Sequence, residues 1–435
     1  MKKILIISYY FPPSGGAGVQ RVLKFVKYLP EFGWQPVVLT VPETASFPAR
    51  DLSLFDEIPE SVHVFRSSLF EPYEAYRKLT GKKAGAAMDI ATNTEGKRKG
   101  MAESLSEWIR ATFFIPDARM FWKGPAVRIG KKIIEEEGID LILSSAPPYT
   151  CHLIGEALAK STGKPWIADF RDSWVDWLSA PKRRLIPKII DVRMEGSVLK
   201  NADRLLYVTT GVKSDLLSRH PEVPDSKWAL VPNGFDEADF AGISATPPAD
   251  KFTLTYTGSM YGKRNPRGLL AALDLLFAEY PEMKEKVRLR FVGRLDDSIL
   301  EDLKAYAAWV EHIPYVPHSE SVWYLLNSNA LLLIIDNSPL SKSIVTGKVY
   351  EYLGSRRPIL ALAPEGEAAQ LIRETGAGEA ADSENPEAIA RAFLILYQNW
   401  RNPAHQAQTN SDAITAYSRR ALTGSLAKIL DQMAP

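Results

Sequence analysis

A short apolar run that stops at a glycine-bearing loop and gives way to a helix occurs twice in this chain. The first copy predicts a strand over 3–9. The loop 11–18 follows, and then a helix with apolar positions at Val22, Leu23, Phe25, Val26 and Leu29. Gly33 ends that helix, and a second strand is expected over 36–40. The other copy predicts a strand over 252–257, a loop GlySerMetTyrGlyLysArgAsnPro, and a helix over 269–277. Parallel strands need long crossovers, usually helices, so this repeated unit points to open α/β sheets of the Rossmann kind. With 435 residues the chain is too long for one hydrophobic core, and two such domains are expected. The stretch 241–250, AlaGlyIleSerAlaThrProProAlaAsp, has linker composition and marks the boundary.

Several function classes lose ground at this stage. The formal net charge is +1, so no global field points to nucleic acid. The single cysteine, Cys151, excludes an internal disulfide framework and a cysteine-rich zinc site, and it fits a reducing compartment. Two lysines precede the apolar amino-terminal run. That run is short and ends in ProProSerGlyGly, which suits a first strand and ligand loop better than a signal peptide. No stretch approaches the ~20 apolar residues of a membrane-spanning helix. The six histidines are scattered without a metal-binding HExxH, and neither a GxSxG elbow nor a P-loop lysine motif is present.

Open α/β sheets bind ligands at the carboxyl ends of their strands. The segment 337–363, NSPLSKSIVTGKVYEYLGSRRPILALA, is the most informative such exit. A Ser-rich loop leads to a short helix that carries Lys348 and Glu351 three residues apart on one face, and a buried strand follows. A lysine there meets anionic charge, and a carboxylate accepts hydrogen bonds from hydroxyls. An i,i+3 surface ion pair is the plainer alternative. Lys263 and Arg264 in the loop after the 252–257 strand suit a diphosphate, so the second half as a whole suits a nucleoside diphosphate. In the first half, Gly15 and Gly16 bring bare backbone to a helix amino terminus, although a tight turn would use the same residues. The exit of a strand over 165–169 reads AspPheArgAspSerTrpValAspTrp. Asp169, Arg171, Asp172 and Trp174 there describe a lined cleft with at least one ligand contact, and a structural ion pair is the alternative for Asp169 or Arg171.

These residues resemble the family-four retaining glycosyltransferases of the GT-B fold, of the kind found in bacterial surface-polysaccharide pathways. The resemblance runs over nearly the whole length. It rests on IleSerTyrTyrPheProProSerGlyGlyAlaGly at 7–18, SerSerAlaProProTyr at 144–149, AspPheArgAspSerTrp at 169–174 and ValProAsnGlyPheAsp at 231–236. TyrThrGlySerMet at 256–260, and LysValTyrGluTyrLeu followed by ArgProIleLeuAla at 348–361, complete it. Order and spacing together carry the match. It implies two Rossmann-like domains facing across a cleft: 1–240 for the acceptor, with 415–435 packing back on it, and 241–414 for the donor.

The resemblance further implies a sugar moved from a nucleoside-diphosphate sugar, UDP-linked by preference, to a glycan or lipid-linked acceptor. No metal and no cofactor is implied, and the setting is cytoplasmic or peripheral at the inner membrane face. Glu351 looks like the second glutamate of the family's paired signature, which takes the ribose hydroxyls. The first would fall on Ser343, a departure that bears on the donor-sugar contacts. The family's phosphate-clamping arginine and lysine would fall on Ser259 and Arg264, with Lys263 beside them. Gly16, Gly258, Ser259, Ser343, Lys348 and Glu351 are then donor contacts. Gly15, Asp169, Arg171 and Trp174 are acceptor contacts, and Asp172, Lys263 and Arg264 are the catalytic set.

Two other readings are kept: a nucleotide-sugar epimerase of the same shape, and a non-catalytic nucleotide-binding relative. Finally, aromatic and basic residues interleave across 97–132, among them Trp108, Phe113, Phe121, Arg119 and Lys123. This stretch reads either as a surface for anionic lipid or as core helices with solvated charges.

Overall fold

The computed structural model describes residues 1–70, 108, 111–175, 183–262, 264–402 and 410–434. They form two compact units, residues 1–232 with 419–435, and residues 233–418.

The first unit is built on a seven-stranded sheet in the order β3-β2-β1-β4-β5-β6-β7. The strands are β1 (Lys2–Ile7), β2 (Trp34–Thr40), β3 (His63–Arg66), β4 (Leu141–Ala146), β5 (Trp166–Phe170), β6 (Arg204–Tyr207) and β7 (Trp228–Leu230). All neighbours pair in parallel. The chain winds outward from β1 to β3 and returns beside β1 as β4, with Ile4 opposite Leu141. The β1/β4 boundary is therefore the switch point where an open sheet presents a crevice. Ile4 to Ile7 are fully buried, as a strand covered by helices on both faces requires. The last helix, Arg419–Met433, packs on the first, Ala17–Tyr28. Trp34 Nε1 donates to Asp431 Oδ1 at 2.9 Å, and Arg420 pairs with Glu31 at 2.6 Å.

The second unit carries a six-stranded sheet in the order β10-β9-β8-β11-β12-β13. Its strands are β8 (Phe252–Thr257), β9 (Val287–Val292), β10 (Val310–Ile313), β11 (Ala330–Ile334), β12 (Ile359–Leu362) and β13 (Gly378–Ala381), again all parallel. The run AlaLeuLeuLeuIleIle shows why the strand is apolar throughout. Ala330, Leu332 and Ile334 enter one buried cluster, while Leu331, Leu333 and Ile335 enter another. Alternate side chains face opposite sides, and each side is covered. The switch point lies between β8 and β11. The loops it exposes are those after Thr257 and after Ile334.

The carboxyl-terminal segment is not one continuous helix. A short helix, Ser411–Thr415, is followed by an interruption before Arg419. Ser418 forms a β-bridge with Phe235 there, and Phe235 N–H donates to Tyr417 O at 3.2 Å. The chain leaves helical geometry to make that pairing.

Candidate functional site

In the second unit the site is assembled on the β8 exit. Gly258 N–H donates to Val292 O at 2.7 Å, and Gly293 N–H to Ile313 O at 2.8 Å. These two exit turns press backbone against backbone. An ideal Cβ on Gly293 would lie 2.4 Å from Gly258 O. Gly258 itself sits at φ +104, and an ideal Cβ there would lie 2.6 Å from Lys348 Nζ. Glycine at 258 thus serves both the backbone and the lysine above it.

Lys348 comes from the helix Gly347–Ser355, which begins after the loop that follows β11. Its ammonium donates to the Tyr256 hydroxyl at 2.7 Å and lies 4.1 Å from that ring's centroid. Tyr256 is fully buried and passes its own proton to Ser259 O at 2.8 Å. Burial pushes the Tyr256 phenol up to about 12, with Arg264 acting against the rise. Burial also pulls Lys348 down to about 7. The Arg264 charge adds to this, and Glu351 opposes it. Arg264 lies 5.8 Å from the Tyr261 ring, and its buried Nε has no hydrogen-bond partner among the described residues.

Glu351, one turn beyond Lys348, is 28% exposed and lies 3.0 Å from His318 Nε2. Burial raises its pKa, His318 works against that, and Asp239 adds to it. No side chain caps the helix Gly347–Ser355 at Thr346, and the buried Thr346 Oγ1 has no partner among the described residues. Two cations, a helix amino terminus and an unfilled hydroxyl therefore converge at the switch point. That chemistry accepts an anion, and Glu351 beside it accepts hydroxyl donors. Ser259 is exposed at the same turn, and Ser343 closes the turn Pro339–Ser343, partly buried. Lys263 lies outside the described residues.

In the first unit the side chains of Asp169 and Trp174 are turned inward, and that of Arg171 is half-buried. Asp169 is fully buried at the end of β5. Arg21 Nη2 donates to Asp169 Oδ1 at 2.7 Å, and Ser145 Oγ donates to Oδ2 at 2.7 Å. Burial works to raise the Asp169 pKa, but Arg21 and the hydrogen bonds hold it below the usual carboxylate value. Arg171 spends its guanidinium on the carbonyls of Ala146, Pro147 and Gly18, tying the β5 exit to the glycine loop. Trp174 is 1% exposed, donates to Asp191 Oδ1 at 2.7 Å, and stacks on Tyr149 at 4.6 Å. Asp172 stays half-buried at the strand exit. Gly15 N–H donates to Ala49 O at 2.9 Å. Gly16, at φ +82, is the N-cap of Ala17–Tyr28, and nothing stands within 4 Å of where its Cβ would be.

Sequence reasoning did not single out Arg21, Tyr256 or His318. Arg21 and Lys24 are 1% exposed within a helix otherwise read by its apolar positions. The signal available for Arg21 was its place one turn before Phe25, over whose ring it lies at 4.9 Å. Among the described residues, no group of three His, Cys, Asp or Glu is placed to hold a metal ion. None of the described helices is long and apolar enough to cross a membrane.

Two Rossmann-like parallel sheets with ligand-type loops at their strand ends define a protein of the GT-B-type two-domain α/β class. Residues 15–234, just over half of the chain, match the family model for the glycosyl transferase 4-like domain, and the chain belongs to that family.

The architecture is shared with solved structures, among them the following three. Anabaena Alr3699/HepE in complex with UDP is 13% identical with a TM-score of 0.61, over 99% of this chain and 100% of that one. The lipopolysaccharide outer core galactosyltransferase WaaB is 13% identical with a TM-score of 0.56, over 99% of each chain. A putative UDP-N-acetylglucosamine 2-epimerase from Listeria monocytogenes is 14% identical with a TM-score of 0.54, over 99% of this chain and 96% of that one. At these identities the likeness is one of fold. A comparison with curated proteins found no match.

Proposed function

We propose that this protein is a retaining, metal-independent glycosyltransferase. It would move a sugar from a nucleoside-diphosphate sugar to a glycan or lipid-linked acceptor in polysaccharide or envelope-glycan synthesis, working at the cytoplasmic side of the membrane. The observation that carries this reading is the pairing of Lys348 with Tyr256 above Gly258, with Arg264 beside it and Glu351 one turn on. The diphosphate would lie against Lys348, Arg264 and the amino terminus of Gly347–Ser355, with Lys263 assigned to the same charge. The ribose hydroxyls would donate to Glu351 in place of its contact with His318. Gly16, Gly258, Ser259 and Ser343 complete the proposed donor contacts. Uracil is the favoured base, which the UDP bound by the Anabaena protein supports.

In the reaction the bond between the anomeric carbon and the phosphate oxygen breaks, and its electron pair stays on the phosphate. Lys348 and Arg264 stabilise that growing charge, as fixed cations do where charge develops in a transition state. The acceptor hydroxyl attacks the anomeric carbon, and its proton goes to the departing phosphate oxygen. Retention rests on the family resemblance. Acceptor handling is assigned to the first unit, with Asp172 orienting the hydroxyl and Gly15, Asp169, Arg171 and Trp174 shaping the loops around it.

The test is a panel of labelled nucleotide sugars incubated with the protein, membrane extract and a chelator. Transfer of label from one donor to extractable glycan is expected. Lys348→Met should lower the rate by about 10²–10³ without unfolding the protein. Conversion of the donor to its epimer without any acceptor would instead establish the epimerase reading.

A further inference from the structure

The helix Leu185–Asn201 in the first unit inverts the usual arrangement of a surface helix. Its two acids point inward and are neutralised. Asp191, 3% exposed, takes Arg183 Nε and Trp174 Nε1, each at 2.7 Å. Glu195, fully buried, takes Arg219 Nε at 2.7 Å and His220 Nε2 at 3.1 Å. In its first turns four aliphatic side chains point outward, while Val198 and Leu199 near its other end are buried. Leu185 is 73% exposed, Ile186 72%, Ile189 41% and Ile190 37%. Arg184 and Arg193 are exposed on the same helix. Its first turns therefore offer water four aliphatic side chains and basic charge, with no acid.

A second apolar segment is fastened to this one. Arg183, directly before the helix, donates to the carbonyls of Ala111 at 2.8 Å and Phe114 at 3.1 Å, and to that of Pro116. Phe113, inside the clamped segment, is 62% exposed and sits edge-on to the exposed Trp108, 5.9 Å between centroids.

We propose that this face is a docking surface for an anionic lipid bilayer. Exposed apolar groups of this size, grouped and rimmed by charge, mark an interaction site rather than ordinary surface. The charge selects the occupant. Arginines beside aliphatic and aromatic side chains complement anionic headgroups over an acyl layer. A symmetric contact with a second copy would bring the same basic groups back onto a face that has no acid to receive them among its described residues. The sequence-based lipid surface over 97–132 is moved by this inference: its described members Trp108 and Phe113 adjoin the face, while the helix 185–201 supplies the larger part. The proposal rests on this surface alone, so its failure would leave the nucleotide reading untouched.

The test is co-sedimentation of the full chain with phosphatidylcholine vesicles, with and without phosphatidylglycerol. Binding only to the anionic vesicles, weakened by salt, is expected. Ile186→Glu with Ile189→Glu should weaken it at least about tenfold, because two aliphatic insertions are lost. Arg184→Glu with Arg193→Glu provides an independent variant at exposed positions and should weaken it as well. Absence of sedimentation with the anionic vesicles would overturn the proposal. So would binding unchanged in both variants, or a dimer that the isoleucine variant splits while lipid has no effect.

Discussion

Replacing Arg21 with methionine removes one partner from the most enclosed ion pair of the first unit. Arg21 is 1% exposed and Asp169 is fully buried. The guanidinium makes contacts of 2.7, 3.0 and 3.2 Å to the carboxylate, and Nη1 donates to Pro232 O at 2.8 Å. Methionine fills much of the volume and keeps contact with Phe25. The loss is therefore electrostatic rather than a cavity. Among the described residues, the Ser145 bond at 2.7 Å and the nearby Arg171 charge would still serve the Asp169 carboxylate. Stranding a buried charge in this way costs about 3–5 kcal/mol.

The pH dependence separates this explanation from simple loss of packing. In the wild type the Asp169 pKa is held below its ordinary value, so its contribution is present above the unfolded pKa and is lost as pH falls through the folded one. In the variant burial is left as the stronger influence, and the carboxyl takes up a proton on folding. The native variant then binds more protons than its unfolded chain, so its stability rises as pH falls from neutrality. Urea unfolding followed on the first unit should show a deficit of about 3–5 kcal/mol at neutral pH that narrows on acidification. A joint Arg21→Met, Asp169→Leu variant should recover most of it. A deficit under about 1 kcal/mol, or one that widens in acid, would refute the reasoning.

Two further outcomes concern the second unit. With Lys348 near 7 in the free protein, an anion bound beside it raises that pKa, so nucleotide binding above neutrality takes up a proton. Affinity should fall by up to about tenfold per pH unit over the alkaline side, and calorimetry in buffers of different ionisation enthalpy should register the proton. A pH-independent affinity would remove Lys348 from the site. Gly258→Ala places a methyl group 2.6 Å from Lys348 Nζ at φ +104. It should lower nucleotide affinity at least about tenfold, with backbone strain of about 1–3 kcal/mol visible in thermal unfolding. Wild-type affinity in that variant would show that Lys348 does not need its place above the turn.

The strand legible with its exact bounds was one whose apolar run meets glycine. β8 occupies the expected 252–257, because Gly258 stops it where its exit turn touches the one at Gly293. β13 was missed: GlyGluAlaAla has no branched or aromatic residue and is held by its ladder to β12. The helix Asp297–Lys304 buries only Ile299 and Leu303, too sparse a period to read. Lys348 and Glu351 were legible as a pair on one helical face, but Tyr256 beneath the lysine was hidden inside a strand that looked purely structural. At the exit of β5 the sequence left a ligand contact and a structural ion pair side by side. Its charges suggested a ligand, and three-dimensional packing commits Asp169 to Arg21 and Arg171 to backbone carbonyls. Pairings between residues far apart in sequence are what a single chain does not display.

The central claim is that the second unit holds a nucleoside diphosphate at Lys348 and Glu351. Calorimetric titration of UDP, GDP, ADP and CDP into the wild type and into Glu351→Ala tests it most directly. Saturable binding of one diphosphate, weakened at least about tenfold in the variant, is the expected result. Well-folded protein that binds none of the four, or a Glu351→Ala variant that binds as the wild type does, would contradict it.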